Sequence, residues 1–257
     1  MKSTRRISLL ITLGLLTAMM IVSILDEGDD ATELGGGGGG GTAPNRELML
    51  AVQASDFAGV KRAIARGAQP CAVDSAGFSP IARAVTGENV VICQELLAHG
   101  ANPDGAGMNE TIPPIVSAAI HDDSQILDLL IRHGADVNAC TSGGSTALNV
   151  AASLGRVDIA AALIRAGADV NAADAHGWTP LMGAATRSEC AGLVDALLAA
   201  GARTDATNDE GETAFRFASR LGNRPAVRLL LLRDAHNPRR EQCLGMTTAD
   251  ASDRHDG

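Results

Sequence analysis

Apolar positions fall along this chain in two patterns. Ile7 to Leu25 is one unbroken run of nineteen residues with no charge and no proline. As a helix rising ~1.5 Å per residue it would span roughly 28 Å, close to the ~30 Å hydrocarbon core of a bilayer. From residue 45 to about residue 237 the pattern changes to short apolar segments separated by polar, glycine-bearing turns. Gly-Ala pairs begin at Gly67, Gly100, Gly134, Gly167 and Gly201, at intervals of 33, 34, 33 and 34 residues, and Asp234-Ala235 keeps only the alanine. A second series keeps the same period: Ser79-Pro80-Ile81, Pro113-Pro114-Ile115, Thr146-Ala147-Leu148, Thr179-Pro180-Leu181 and Thr213-Ala214-Phe215. Two markers in phase define a repeat rather than a coincidence.

Each repeat predicts two short helices and a hairpin. Ser or Thr before Pro is an N-cap followed by a first-turn proline, whose missing N–H costs nothing there. Alanine pairs such as Ala118-Ala119, Ala151-Ala152 and Ala184-Ala185 let helices of adjacent units approach closely. A break at Gly155 or Gly222 precedes a second apolar helix such as Val157 to Arg165, and Gly167 ends that helix as a left-handed C-cap. Ala168-Asp169-Val170-Asn171-Ala172 then leads into the next unit.

The run Asp174-Ala175-His176-Gly177-Trp178-Thr179-Pro180-Leu181, with Gly167-Ala168-Asp169-Val170-Asn171-Ala172, resembles the ankyrin repeat. The resemblance implies an all-α solenoid of about six helix-turn-helix units with β-hairpin fingers and a concave surface. The units are about 45–72, 73–105, 106–139, 140–172, 173–206 and 207–237. Residues 45–72 read as an N-terminal cap without the Thr-Pro motif, and 207–237, with five arginines, as a polar C-terminal cap. The family's usual histidine after Thr-Pro-Leu is replaced by Ala82, Val116, Asn149, Met182 and Arg216, which should weaken hydrogen bonding at the helix starts. One unit carries an extra residue near Asn109 and another near Glu189.

Outside the repeats, residues 1–25 read as a membrane anchor or signal segment. Lys2, Arg5 and Arg6 precede the apolar run and Asp26, Glu27, Asp29 and Asp30 follow it, which keeps the N-terminus cytoplasmic and exports the rest. A cleaved signal is the alternative, although Leu16 or Ile21 at the −3 position makes a poor cleavage site. No cysteine lies in or just after the run, which excludes a lipoprotein anchor. Residues 26–44 are an acidic, glycine-rich linker in which Gly35 to Gly41 act as a flexible tether. Residues 238–257 form a polar tail.

Charge narrows the partners. All 30 acidic residues but only 18 of the 21 basic ones follow Leu25, a balance of −12 against −9 for the whole chain. Such a surface repels a phosphate backbone, and aromatics at 2% offer few platforms for bases, so nucleic acid is disfavoured and a neutral or basic protein expected.

Candidate chemistry is sparse. No pair among Cys71, Cys93, Cys140, Cys190 and Cys243 has a C-x-x-C spacing. Cys71 and Cys140 lie two units apart, too far to bridge, and only Cys190 with Cys243 survives as a possible disulfide. Otherwise the cysteines read as small buried apolar residues. His99 and His133 precede Gly-Ala at helix C-termini, where the dipole accounts for them. No G-x-S-x-G or H-E-x-x-H occurs, so no enzyme, metal or cofactor is expected.

The positions that the repeat does not dictate are the candidate partner site. The resemblance implies contacts at the fingers, where Phe78, Ile112, Ser145, Trp178 and Glu212 recur, with His176 beside Trp178. Exposed tryptophan is enriched in interface hot spots, although Phe78 and Trp178 could instead staple their own hairpins. Ends of the first helices add Ile120, His121, Leu154, Arg187 and Arg220. The expected function is a non-enzymatic protein-protein interaction module in the periplasm. Family resemblance brings catalase-associated and effector-immunity roles into view. A haem or metal accessory protein using His176, or a structural tether that localises an oligomer, are the alternatives.

Overall fold

The computed structural model describes residues 42–105 and 112–235. The apolar run 7–25, most of the linker, the insertion near Asn109 and the tail, with Cys243, lie outside the described residues. From Thr42 onward the helices come in pairs: α1 (Ala43–Gln53) and α2 (Phe57–Ala65), α3 (Pro80–Thr86) and α4 (Val90–Ala98), α5 (Pro114–His121) and α6 (Ser124–Arg132). The pairing continues with α7 (Ala147–Leu154) and α8 (Val157–Arg165), α9 (Pro180–Ala185) and α10 (Ala191–Ala199), α11 (Ala214–Leu221) and α12 (Arg224–Ala235). Odd-numbered helices pack on one another in sequence, and so do even-numbered ones, giving two parallel rows of stacked helices.

Local sequence explains the register. Ser79, Thr146, Thr179 and Thr213 accept hydrogen bonds from the N–H three residues on, capping α3, α7, α9 and α11. Between the helices of a pair the chain passes through a left-handed residue: Ser55, Glu88, Asp122, Gly155 or Gly222. The unit with an extra residue near Glu189 differs, and spends it on a 3-10 turn, Ser188–Cys190. The expected alanine pairs 118–119, 151–152 and 184–185 are buried between the odd-numbered helices, and leucines and isoleucines such as Leu130, Leu148, Ile159 and Leu163 fill the space to the second row. One apolar core therefore runs the length of the stack.

Two expectations need correction. Fingers joining the units contain no strand among the described residues; the one antiparallel bridge links Cys140 and Thr146. Each finger is too short for a ladder and is held by side chains instead, as described below. The last unit is a polar cap only in part: its five arginines are exposed, but α11 and α12 also leave Leu221, Leu231 and Leu232 about half exposed.

Candidate functional site

The four fingers that lie wholly within the described residues close on themselves through the same main-chain bond. The N–H groups of Asp74, Thr141, Asp174 and Asn208 donate to the carbonyls of Phe78, Ser145, Trp178 and Glu212. The side chains of Asp74, Thr141, Asp174 and Asn208 also accept from the N–H four residues on, at 2.8, 3.2, 2.9 and 2.8 Å. Such Asx-type turns fix the backbone without a ladder. Successive fingers then bond edge to edge: Ala175 N–H donates to Gly143 O at 2.8 Å and Asp209 N–H to His176 O at 3.1 Å. Gly177 makes the second approach feasible, for its φ is 75° and a Cβ there would lie 2.9 Å from Asn208 Cα.

The expected contact residues of the fingers turn inward. Trp178 is half-buried and stacks on Phe217 of the following unit, ring centroids 4.6 Å apart at 32°. Phe78 lies under the Arg83 guanidinium, 4.5 Å from its carbon, and Arg83 is anchored on Asp74 at 3.0 Å. Ile112 packs against the core, and Ser145 is half-buried. Glu212 has only 13% of its side chain exposed and pairs with Arg220 at 2.8 Å and Arg216 at 3.8 Å. His176 differs: at a finger tip, 78% exposed, it stands 3.7 Å from Asp209.

At the ends of the odd-numbered helices Ile120, His121, Leu154 and Arg187 are half-buried and Arg220 is exposed. His121 Nδ1 bonds the Ser117 carbonyl at 2.9 Å, while Arg187 Nε donates to Ser153 O at 2.6 Å, tying α9 to α7. Ile120 packs on the core and Leu154 remains half-exposed. Together with His176, the outward parts of Ile120, His121, Leu154, Arg187 and Arg220 are what these positions offer to solvent.

Two asparagines carry joints that the sequence did not announce. Asn149, in the slot expected to weaken the helix start, instead completes a capping box with Thr146. Its Nδ2 also donates to Ala172 O and Trp178 O, both at 3.0 Å, on the next finger. Asn223, 1% exposed, accepts from Ala226 N–H and donates to Ala185 O and Arg187 O at 3.0 and 2.9 Å. Only the three-residue spacing from Thr146 could have flagged Asn149; Asn223 is marked locally as an N-cap ahead of Pro225, but nothing local marks its bonds to the preceding unit.

The four cysteines among the described residues divide evenly, against the expectation that most are buried. Cys93 and Cys190 are buried and Cys71 and Cys140 exposed, and all four are free thiols. Cys71 occupies a turn slot where its S–H donates to Gly100 O at 3.3 Å, the counterpart of Asn171 Nδ2 on Gly201 O. Burial, with Asp123 adding to it, pushes the Cys93 thiol up to about 12, and burial also raises Cys190. His99 Nδ1 bonds the Glu95 carbonyl at 2.9 Å at the end of α4. Among the described residues no three His, Cys, Asp or Glu side chains converge as metal ligands.

Paired helices stacked in two rows, with self-closed fingers at four of the junctions, define a repeat solenoid. The sequence pattern of the family described as ankyrin repeats (3 copies) matches residues 48–139, 105–174 and 172–242. The chain belongs to the ankyrin repeat family. A solved ankyrin repeat domain from Acinetobacter baumannii AYE is similar at 29% identity and a TM-score of 0.69, covering 73% of this chain and 97% of that one. The ankyrin repeat protein EF0377 is similar in fold at 24% identity and a TM-score of 0.68, covering 74% of this chain and 98% of its own. No curated protein matches the chain. Membership makes this a protein-protein interaction module.

Proposed function

We propose that the repeat domain binds one neutral or basic protein on the outer side of a bacterial inner membrane, held there by residues 7–25 and the glycine leash. What supports the site is the division of labour in the fingers. Phe78, Trp178 and Glu212 are occupied within the stack, whereas His176 projects from its finger tip. The partner is read by that tip and by the outward parts of Ile120, His121, Leu154, Arg187 and Arg220, a rigid surface that binds with little ordering cost. Phe78, Ile112, Trp178 and Glu212 act on binding by positioning the fingers. Support for the outer location is the charge asymmetry around residues 7–25. No helix among the described residues is long and apolar enough to cross a membrane, so anchoring rests on the N-terminal run alone.

Affinity capture from native membranes tests this reading. The tagged full chain is compared with His176→Glu/Leu154→Asp, two changes outside the helix-helix contacts. One dominant partner lost in the variant supports the site, and a partner retained equally by both overturns it. Labelling of Cys71 and Cys140 by a membrane-impermeant maleimide in intact cells with opened outer membranes tests the location. Protection of both until the inner membrane is broken would place the domain in the cytoplasm and sink that part.

A further inference from the structure

Among the described residues no further unit packs on the last one, and its outer side shows apolar side chains. Ala226 and Leu230 of α12 are fully buried, while Leu231 is 48% exposed and Leu221, at the end of α11, 47%. Gly222, Arg224, Val227, Arg228, Leu231 and Leu232 line an open apolar groove of about 650 Å³ there. Arg224 and Arg228, one helical turn apart, flank the groove, and among the described residues no acid pairs with either. A terminal repeat ordinarily shows a polar outer face. This one shows leucines edged with two arginines that pair with no acid among the described residues.

We infer that the groove is the docking site of the chain's own residues 241–253. The sequence runs on past Ala235 for 22 residues. Glu241 to Asp253 carries three acids, Glu241, Asp250 and Asp253, and no basic residue, around the apolar Cys243, Leu244 and Met246. Within those bounds charge and apolarity match the groove, with Arg239 and Arg240 in the connection before the segment and Arg254 after it. The reach suffices: five residues, 236–240, extend up to roughly 17 Å, while Leu231 lies only ~6 Å back along the helix from Ala235. Joined by so short a connection, the segment faces the groove at an effective concentration of the order of millimolar, so weak contacts are enough. A second copy fits less well, because a face-to-face pair would set Arg224 and Arg228 against their own counterparts. Docking closes the open end of the solenoid, and a partner that displaced the segment would gain that same surface.

Cys243 lies within the segment and reports on it. In membranes containing the full chain, alkylation by N-ethylmaleimide is followed for each cysteine peptide by mass spectrometry. Exposed Cys71 and Cys140 set the rate of an accessible thiol, and buried Cys93 must stay unreacted in every variant as the sign of an intact stack. The expected result is that Cys243 reacts about tenfold slower than the exposed pair, the rate left when the segment is docked roughly nine-tenths of the time. Both Leu244→Asp/Met246→Asp, which leaves the repeats untouched, and Arg228→Glu/Leu231→Asp should bring it to the reference rate. Cys243 reacting as fast as Cys71 in the unaltered chain overturns the proposal. Slow reaction that survives the tail variant overturns it too, as does cross-linking through α12 between differently tagged copies, which would make the occupant a second chain.

Discussion

At Asn149 a single carboxamide serves three backbone groups on two repeats: Thr146 N–H, Ala172 O and Trp178 O. Asn149→Ala leaves Thr146 N–H and Ala172 O without these partners in part-buried surroundings, leaves Trp178 O only its bond from Asp174 N–H, and removes the capping box. The expected cost is about 2–4 kcal/mol, read as a shift of the urea midpoint with Trp178 as the fluorescent probe. An unchanged midpoint would mean water takes over these bonds. Cys93 sets a second expectation at this scale. Its thiol ionises near 9.0 when unfolded and at about 12 in the fold, because burial disfavours the thiolate. The folded state therefore holds a proton that the unfolded state releases, so the contribution of Cys93 is whole below pH 9.0 and is lost as pH rises through about 12. The chain has no tyrosine to blur that window. Stability to urea should fall as pH rises from about 9, and Cys93→Ala should flatten the fall while lowering stability at neutral pH. An identical slope in wild type and variant would assign the alkaline loss elsewhere.

At the level of the elements, what could be read from sequence was what is decided locally. Helix starts are legible because Ser79, Thr146, Thr179 and Thr213 cap through bonds three residues long, and helix ends because the chain must turn left-handed there. Partner-dependent features were not. The facing of Trp178 depends on Phe217, 39 positions on, and the burial of Asn223 on carbonyls of the preceding unit. Exposure of Cys71 likewise follows from its turn slot rather than from its residue type. Finger geometry belongs with these, since edge-to-edge bonding is a matter of neighbours. Gly177→Ala tests it: the left-handed φ of 75° and the 2.9 Å approach to Asn208 Cα penalise any side chain. A loss of about 1–3 kcal/mol is expected, with faster amide exchange at Asp209, the donor to His176 O. The matched control is Gly167→Ala, at φ 87° with nothing within 4 Å of the added Cβ, which should cost only the backbone term of ~1 kcal/mol and leave Asp209 protected. Equal exchange at Asp209 in both variants would show that the close approach is not what holds the fingers together.

For the whole molecule the decisive property is that each unit touches only its neighbours, so damage should stay where it is made. The joint between the last two units shows how. Phe217 is fully buried and is covered from the preceding finger by Trp178, while Asn223 reaches back from the same unit to Ala185 and Arg187. Phe217→Ala removes the ring from both packings, at a cost of about 3–5 kcal/mol. In a two-state globule that loss would spread over every amide. In this stack the first units have no contact with the site, so α11 and α12 should open while α3 to α8 keep their protection, which hydrogen exchange resolves helix by helix. His176→Ala, by contrast, alters a tip that is 78% exposed and should leave the exchange pattern unchanged. The two variants therefore separate the side chains that hold the fingers from the one offered outward. Binding lost with His176→Ala in an unaltered stack would be recognition, whereas binding lost with Phe217→Ala would report the frayed end. If Phe217→Ala instead raised exchange evenly from α1 to α12, the repeats would fold as one unit, and a partner at the fingers would sense changes anywhere along them.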